Sequence, residues 1–374
     1  MEKVVIFLFF LICFNMAEGQ SDSGKLWFYT GTFTSEGSEG VYLCSFNPTD
    51  ASVKLENTFK GFDDPSFLRI SPDRKFLYVV NRAPSTVEPQ GGYIAAFRIN
   101  ADKTLSFLNK QLTHGEGPCY VDVSADGRFV AVANYNSGTI ALYQAGKEGS
   151  LSVALSIVKN EGSGPVKARQ SGPHAHSVRF YNKTLELFSP DLGVDKVFRF
   201  ELTESGNLNV KGQQSLQLSP GAGPRHMDFH PSKEVIYVIN ELNSTITCFR
   251  RTDQAWTGFQ VISALPEGYS GPSFCADIHV SQDGRFLYGS NRGHNSIVVF
   301  RINGNTGALD LVGHVPTEGN WPRNFTLTPD GWFMLVGNQR SGNIAVFRIN
   351  RETGMAESTG QGIKLPSPVC LEFL

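Results

Sequence analysis

One phrase recurs through this chain about every fifty residues, and a repeat of that length admits few folds. It consists of an apolar anchor, a Ser, Thr or His, a tight turn and an aromatic-rich strand. It reads Ile70-Ser71-Pro72-Asp73 before Phe76 to Asn81, and Val123-Ser124-Ala125-Asp126-Gly127 before Phe129 to Asn134. It returns at Val280-Ser281-Gln282-Asp283-Gly284 and at Leu327-Thr328-Pro329-Asp330-Gly331, with weaker copies at Phe180 and at Phe229-His230-Pro231. The anchors therefore fall at 70, 123, 180, 229, 280 and 327, in steps of 47 to 57 residues. That period is the length of a four-stranded propeller blade.

The Asp-Gly pairs suit hairpin turns between the first two strands of a blade, because Gly accepts positive φ. Third strands follow at Thr139–Tyr143, Ser244–Phe249, Ser296–Phe300 and Asn343–Phe347, and weaker fourth strands follow polar turns. Six units leave both chain ends over. Residues 26–60 supply a second, third and fourth strand but no first. Pro368 to Leu374 read as a first strand and then stop, and Pro368 stands five before Phe373 as Pro65 stands five before Ile70. The expectation is an all-β, seven-bladed propeller of four-stranded blades. The C-terminal strand completes the N-terminal blade and removes the open edges. Residues 20–374 form its single domain.

The first nineteen residues stand outside this pattern. Lys3, the apolar run Val4 to Phe14 and Ala17-Glu18-Gly19 read as a signal peptide, not a propeller strand, and place the protein in a lumenal or secreted setting. No other run is long enough to span a bilayer. A net charge of -2 gives no basic footprint for nucleic acid. Cys13 lies in the leader, and at most two disulfides can form among Cys44, Cys119, Cys248, Cys275 and Cys370. Three sequons, at Asn182, Asn243 and Asn324, are glycan acceptors in an exported chain, with Asn324 expected to stay unmodified at a channel mouth.

In a propeller, the segment leading into each innermost strand and the loop leaving each second strand meet on one face. That face gathers Asn81-Arg82, Asn134-Tyr135, Pro173-His174-Ala175-His176, Pro224-Arg225-His226, Asn240-Glu241, Asp277-Ile278-His279, Asn291-Arg292-Gly293-His294 and Pro322-Arg323. The recurrent Asn reads as a turn-former that bonds backbone, and His230 takes the structural place of a Ser or Thr. Arg225, Arg292 and Arg323, equivalent in three adjacent blades, read as anion binders.

The segments PHAHSVRF, GPRHMDFHP, VINELNST, ADIHVSQDGRFLYGSNRGHNSIVVF and PSPVCLEFL resemble the lactonase family of propellers typified by bacterial 6-phosphogluconolactonases, which also includes carboxymuconate-lactonising cyclases. The resemblance runs from about residue 26 to the C-terminus. It implies a carboxylic ester hydrolase acting on a sugar lactone. It also implies catalytic roles for His176, Arg225, Glu241 and Arg292, with His226, His294 and Arg323 binding substrate. Glu241 or His176 would take a proton from water, and Arg225 would stabilise the oxyanion. No metal or cofactor is called for; too few carboxylates converge to hold Ca²⁺. Two alternatives stay open: a lactonising cyclase acting on an unsaturated dicarboxylic acid, and an exported propeller that binds a ligand or protein without catalysis.

Overall fold

The computed structural model describes residues 24–374, apart from 85, 87–90, 182–183, 210–214 and 254. The leader expected over 1–19 and the sequon at Asn182 lie outside the described residues. Seven antiparallel sheets follow one another along the chain. Blade five is typical, with strands Pro224–Phe229, Val235–Asn240, Thr245–Thr252 and Ala255–Ser263 in spatial order. Blade one is Leu26–Thr32, Val41–Asn47 and Ser52–Phe59, with the last strand of the chain, Pro368–Phe373, paired on the inner side of Leu26–Thr32. Blade four departs from the pattern: its first strand is only Arg179–Tyr181, and Ser215–Gln217 is added beside its third. The expected ring and its closure by the C-terminal strand are both present.

The recurring phrase has a local cause. In blades two, three, six and seven the Ser or Thr hydroxyl after the anchor accepts the amide of the next strand's first aromatic residue and donates to the Asp two positions on. Phe129 N bonds Ser124 Oγ at 2.9 Å and Ser124 Oγ bonds Asp126 at 2.6 Å; Ser71, Ser281 and Thr328 repeat the pair. Gly127, Gly284 and Gly331 complete the turn at φ near 70°, where a side chain is strained. His230 fills the same place in blade five and accepts the amides of Ser232 and Lys233 on Nδ1. The Asn at the end of the second strand in blades two, three, five, six and seven bonds backbone or hydroxyl groups, as Asn291 does with Ala264 O and Ser296 Oγ.

The first strands of neighbouring blades pack against one another around the axis. Their residues form layers that can be counted back from each anchor. Four positions before the anchor stand Ser66, Cys119, His176, Arg225, Ala276, Arg323 and Val369. In blades two, three, five and seven the ladder to the second strand skips this residue, as Pro224 pairs Asn240 but His226 pairs Ile239. Such bulges re-aim a side chain out of the sheet pattern. One position before the anchor stand Glu372, Arg69, Asp122, Arg179, Asp228, His279 and Thr326, in blade order. Here Arg69 pairs with Glu372 at 3.2 Å and Asp122 at 3.3 Å, and Arg179 pairs with Asp228 at 3.1 Å. Asp122, Asp228 and Glu372 each also accept the backbone amide of the next blade's anchor: Phe180, Val280 and Ile70.

Candidate active site

Some of the bulged residues and of the residues that follow a second-strand Asn converge at the mouth of the axis. A cavity of about 190 Å³ there is lined by Arg82, Cys119, Tyr135, Arg169, His176, Glu241, Arg292 and Arg323. Cys119, His176 and Arg323 come from the position four before the anchor. Arg82, Tyr135, Glu241 and Arg292 each follow the terminal Asn or its equivalent in their blades. Arg169 comes from the long segment between blades three and four.

Glu241 is the hub. It is buried, at 4% exposure. Arg169 Nη2 donates to its Oε1 and Arg292 Nη2 to its Oε2, each at 2.6 Å. Arg225 Nε lies 3.2 Å from Oε2 but makes no hydrogen bond there, so its attraction to the carboxylate is Coulombic only. Burial opposes ionisation of Glu241, but the Arg292, Arg225 and Arg169 guanidiniums outweigh it and hold its carboxyl at about 2. A carboxylate so committed has little affinity for a proton from water.

Arg225 approaches Glu241 without lining the cavity. It is 2% exposed, and its Nη1 donates to Ala276 O at 2.6 Å and to His226 Nε2 at 3.1 Å. Because a guanidinium only donates, His226 carries its proton on Nδ1 and gives it to Asp277 Oδ1 at 2.7 Å. Asp277 Oδ2 in turn accepts from His279 Nε2 at 3.1 Å and from the Asn324 amide. Asn324 Oδ1 accepts the backbone amide of Leu371, in the closing strand, at 2.7 Å. The chain Leu371–Asn324–Asp277–His226–Arg225 thus ties closure of the ring to the floor of the site. Burial and Arg225 push His226 down to about 3, and burial with Arg292 lowers Arg225 to about 10.

His176 lines the cavity at 5% exposure. Its Nδ1 lies 3.9 Å from Cys119 Sγ, and its Nε2 makes no hydrogen bond among the described residues. Burial and Arg225 keep it well below the usual imidazole range, so it is neutral. Tyr135 stands edge-on to it, with centroids 5.0 Å apart, and accepts from Arg169 Nη2 at 3.2 Å. His174 stacks on Tyr135 and bonds its carbonyl oxygen. Burial pushes Cys119 up to about 11, so it stays a thiol.

Trp321 sits between two guanidiniums, with Arg292 Cζ 5.4 Å and Arg340 Cζ 3.4 Å from its rings. Its φ of 68° is unusual for so bulky a residue and marks strain held by its surroundings. His294 is not brought to the cavity: its Nδ1 bonds Ser296 Oγ at 2.7 Å and its ring lies against Tyr269 and His314. His226 is close but lies beneath the cavity. Of the seven residues expected from sequence, His176, Glu241, Arg292 and Arg323 line one cavity, with Arg225 against Glu241. Arg82, Cys119, Tyr135 and Arg169 were not among them. The repeat register marks the first three; Arg169 lies outside the repeat, and no periodic signal reaches it. Among the described residues no group of three His, Cys, Asp or Glu could hold a metal ion, and all five cysteines are free and buried.

Fold and site together define a seven-bladed propeller with an arginine-rich pocket built around one buried carboxylate. The chain belongs to the family described as lactonase, 7-bladed beta-propeller, whose pattern matches residues 27–373. It is 36% identical over 349 residues to the 6-phosphogluconolactonase of Bacillus subtilis, covering 92% of this chain and 97% of that protein. It is 35% identical to the 6-phosphogluconolactonase of Formosa agariphila, over 80% of this chain and 86% of that one. The solved periplasmic gluconolactonase of Pseudomonas aeruginosa superposes with a TM-score of 0.85 at 30% identity, covering 94% of this chain and 99% of that one.

Proposed function

We propose that this chain hydrolyses a sugar δ-lactone by direct attack of water, with His176 as the base. The observation that carries this is a neutral, buried imidazole whose Nε2 is uncommitted, beside a carboxylate saturated by cations. Water held at Nε2 gives up its proton as its oxygen attacks the lactone carbonyl. The carbonyl oxygen becomes an oxyanion, which Arg292 meets with its Nη1, since among the described residues only its Nε and Nη2 are bonded. Collapse breaks the ring ester, and the departing alkoxide takes the proton from His176. Glu241 serves as the fixed anion that orients Arg292, Arg169 and Arg225. Arg225 acts from beneath, which replaces the oxyanion role that the family resemblance suggested for it.

Burial and the arginines together make His176 a poor base, because both oppose its protonation. An anionic substrate offsets that field and raises its proton affinity as it binds. Relatives named as 6-phosphogluconolactonases and as a periplasmic gluconolactonase support the lactone reading. The apolar run at residues 4–14 supports export of this chain.

The test is proton release from δ-gluconolactone and its 6-phosphate, measured above the spontaneous rate. Turnover is expected, with His176→Asn lowering kcat at least 100-fold while the fold survives, the scale of a lost general base. Wild-type protein that hydrolyses neither lactone, or a His176→Asn variant with undiminished kcat, overturns the assignment.

A further inference from the structure

Of the residues that line the cavity, Tyr135 alone carries a neutral hydroxyl. It follows Asn134 as Glu241 follows Asn240 and Arg292 follows Asn291, so the repeat sets it at the same level of the mouth. Its backbone is pinned where its amide bonds Gly117 O at 2.9 Å. Its ring is held between two imidazoles. His174 stacks on one face, with 4.6 Å between centroids and 16° between planes, and His176 meets it edge-on at 5.0 Å. His174 is itself fixed: its Nδ1 lies 2.9 Å from Tyr135 O, and its amide donates to Asp191 Oδ1 at 2.6 Å.

A phenol has one proton to give and lone pairs to accept with. Tyr135 Oη accepts from Arg169 Nη2 at 3.2 Å, so its own proton points away from that cation. Among the described residues nothing accepts it. Burial raises Tyr135 above the ordinary phenol value and Arg169 offsets this only in part, so the proton stays on the oxygen at neutral pH. Arg169 is locked in turn by Glu241 at 2.6 Å. A fixed cation beside the oxygen steadies the phenolate that forms when the proton leaves.

Opening a lactone ring expels an alkoxide, which is too basic to leave well without a proton. His176 has to meet the attacking water. The ring oxygen is a different substituent of the same carbonyl carbon, and a buried imidazole at 5% exposure has little room to swing from one to the other.

We propose that Tyr135 is a second catalytic residue, the acid whose hydroxyl donates to the ring oxygen of the lactone as the acyl C–O bond breaks. This rests on the lactonase reading. The phenolate left beside Arg169 takes up the proton that His176 drew from water, so that proton reaches the alkoxide by way of Tyr135. One water is consumed, one C–O bond forms and one breaks, and both side chains end as they began.

The experiment compares wild type with Tyr135→Phe, which keeps the ring between its two imidazoles. The substrates are δ-gluconolactone, or its 6-phosphate where that is the better one, and the analogue with sulfur in place of the ring oxygen. A thiolate is far less basic than an alkoxide and departs without a proton. Tyr135→Phe is expected to lower kcat roughly 100-fold on the oxygen lactone with KM unchanged, and by less than about 3-fold on the thiolactone. A second readout needs no analogue. With heavy oxygen in the ring, the isotope effect on kcat/KM should rise in Tyr135→Phe, where the bond breaks unassisted. Undiminished turnover in Tyr135→Phe, an equal loss on both lactones, or an unchanged isotope effect overturns the role of Tyr135 and leaves the lactonase reading intact. An equal loss with a raised KM would make Tyr135 a mere support for Arg169. Wild-type protein that turns over none of these lactones overturns the lactonase reading and this role with it.

Discussion

Glu241 shows how a residue's neighbours set its role. A glutamate at the mouth of an esterase invites assignment as a base, yet three arginines hold it ionised far below neutral pH. Its folded pKa is depressed below the unfolded value. The stability it contributes is therefore fully present above the usual glutamate range near 4.5 and is lost as pH falls towards about 2. Glu241→Gln removes the countercharge from buried cations. It should lower stability by about 3 kcal/mol, the usual cost of breaking a buried pair, and flatten this acid limb. Thermal melts of the two proteins between pH 7 and 3 check both effects. His176, Glu241, Arg292 and Arg323 were legible in the sequence because the repeat assigns each a register. His294 was misplaced because the turn after Arg292 folds it onto Ser296, a local choice that periodicity does not encode. Arg169 was invisible because it reaches Glu241 from a connecting segment.

At the scale of elements, the bulge does the positioning. A strand that kept its register through Arg225 or Arg323 would hold those side chains to the alternation of the sheet. Skipping one residue turns them towards the axis. The proline five before the anchor was visible in the sequence, but its consequence, an unpaired residue just after it, needed the ladders. The closing strand also does more than cover an edge. Through Leu371 N and Asn324 it holds Asp277, which fixes the tautomer of His226 and so the seat of Arg225. Asn324→Ala should cost about 1–3 kcal/mol, since it strands a buried amide and a carboxylate. It should also lower kcat more than it raises KM. Steady-state kinetics beside a denaturant titration would separate the two effects, and an unchanged kcat would break the link between closure and site. Of the two described sequon asparagines, Asn243 is exposed, whereas the buried Asn324 has both amide atoms bonded inside the ring.

For the whole molecule, the repeat period and the unmatched ends were enough to read the ring and its closure. The charged layer inside the channel was not read, because its members are equivalent only once the anchors are superposed. Glu372, Arg69, Asp122, Arg179, Asp228 and His279 alternate in sign from blade one to blade six when His279 is protonated. Burial opposes that proton, but Asp277 outweighs it and raises His279 above the ordinary imidazole value. Its contribution to stability is thus present below the unfolded value near 6.5 and is lost as pH rises through the raised folded value. A strict alternation closes on itself only in an even ring, and this ring has seven members. One must be neutral, and it is Thr326, with a cation on one side and an anion on the other. Either charge placed there meets a like neighbour: Thr326→Glu faces Glu372, and Thr326→Lys faces His279. Both should melt at lower temperature than Thr326→Val, the lysine less severely above the His279 titration. A propeller of six or eight blades could carry such a layer without a defect. In one of seven, the mismatch marks a single blade as different from the rest and gives the circle of repeats a unique place from which its blades can be numbered.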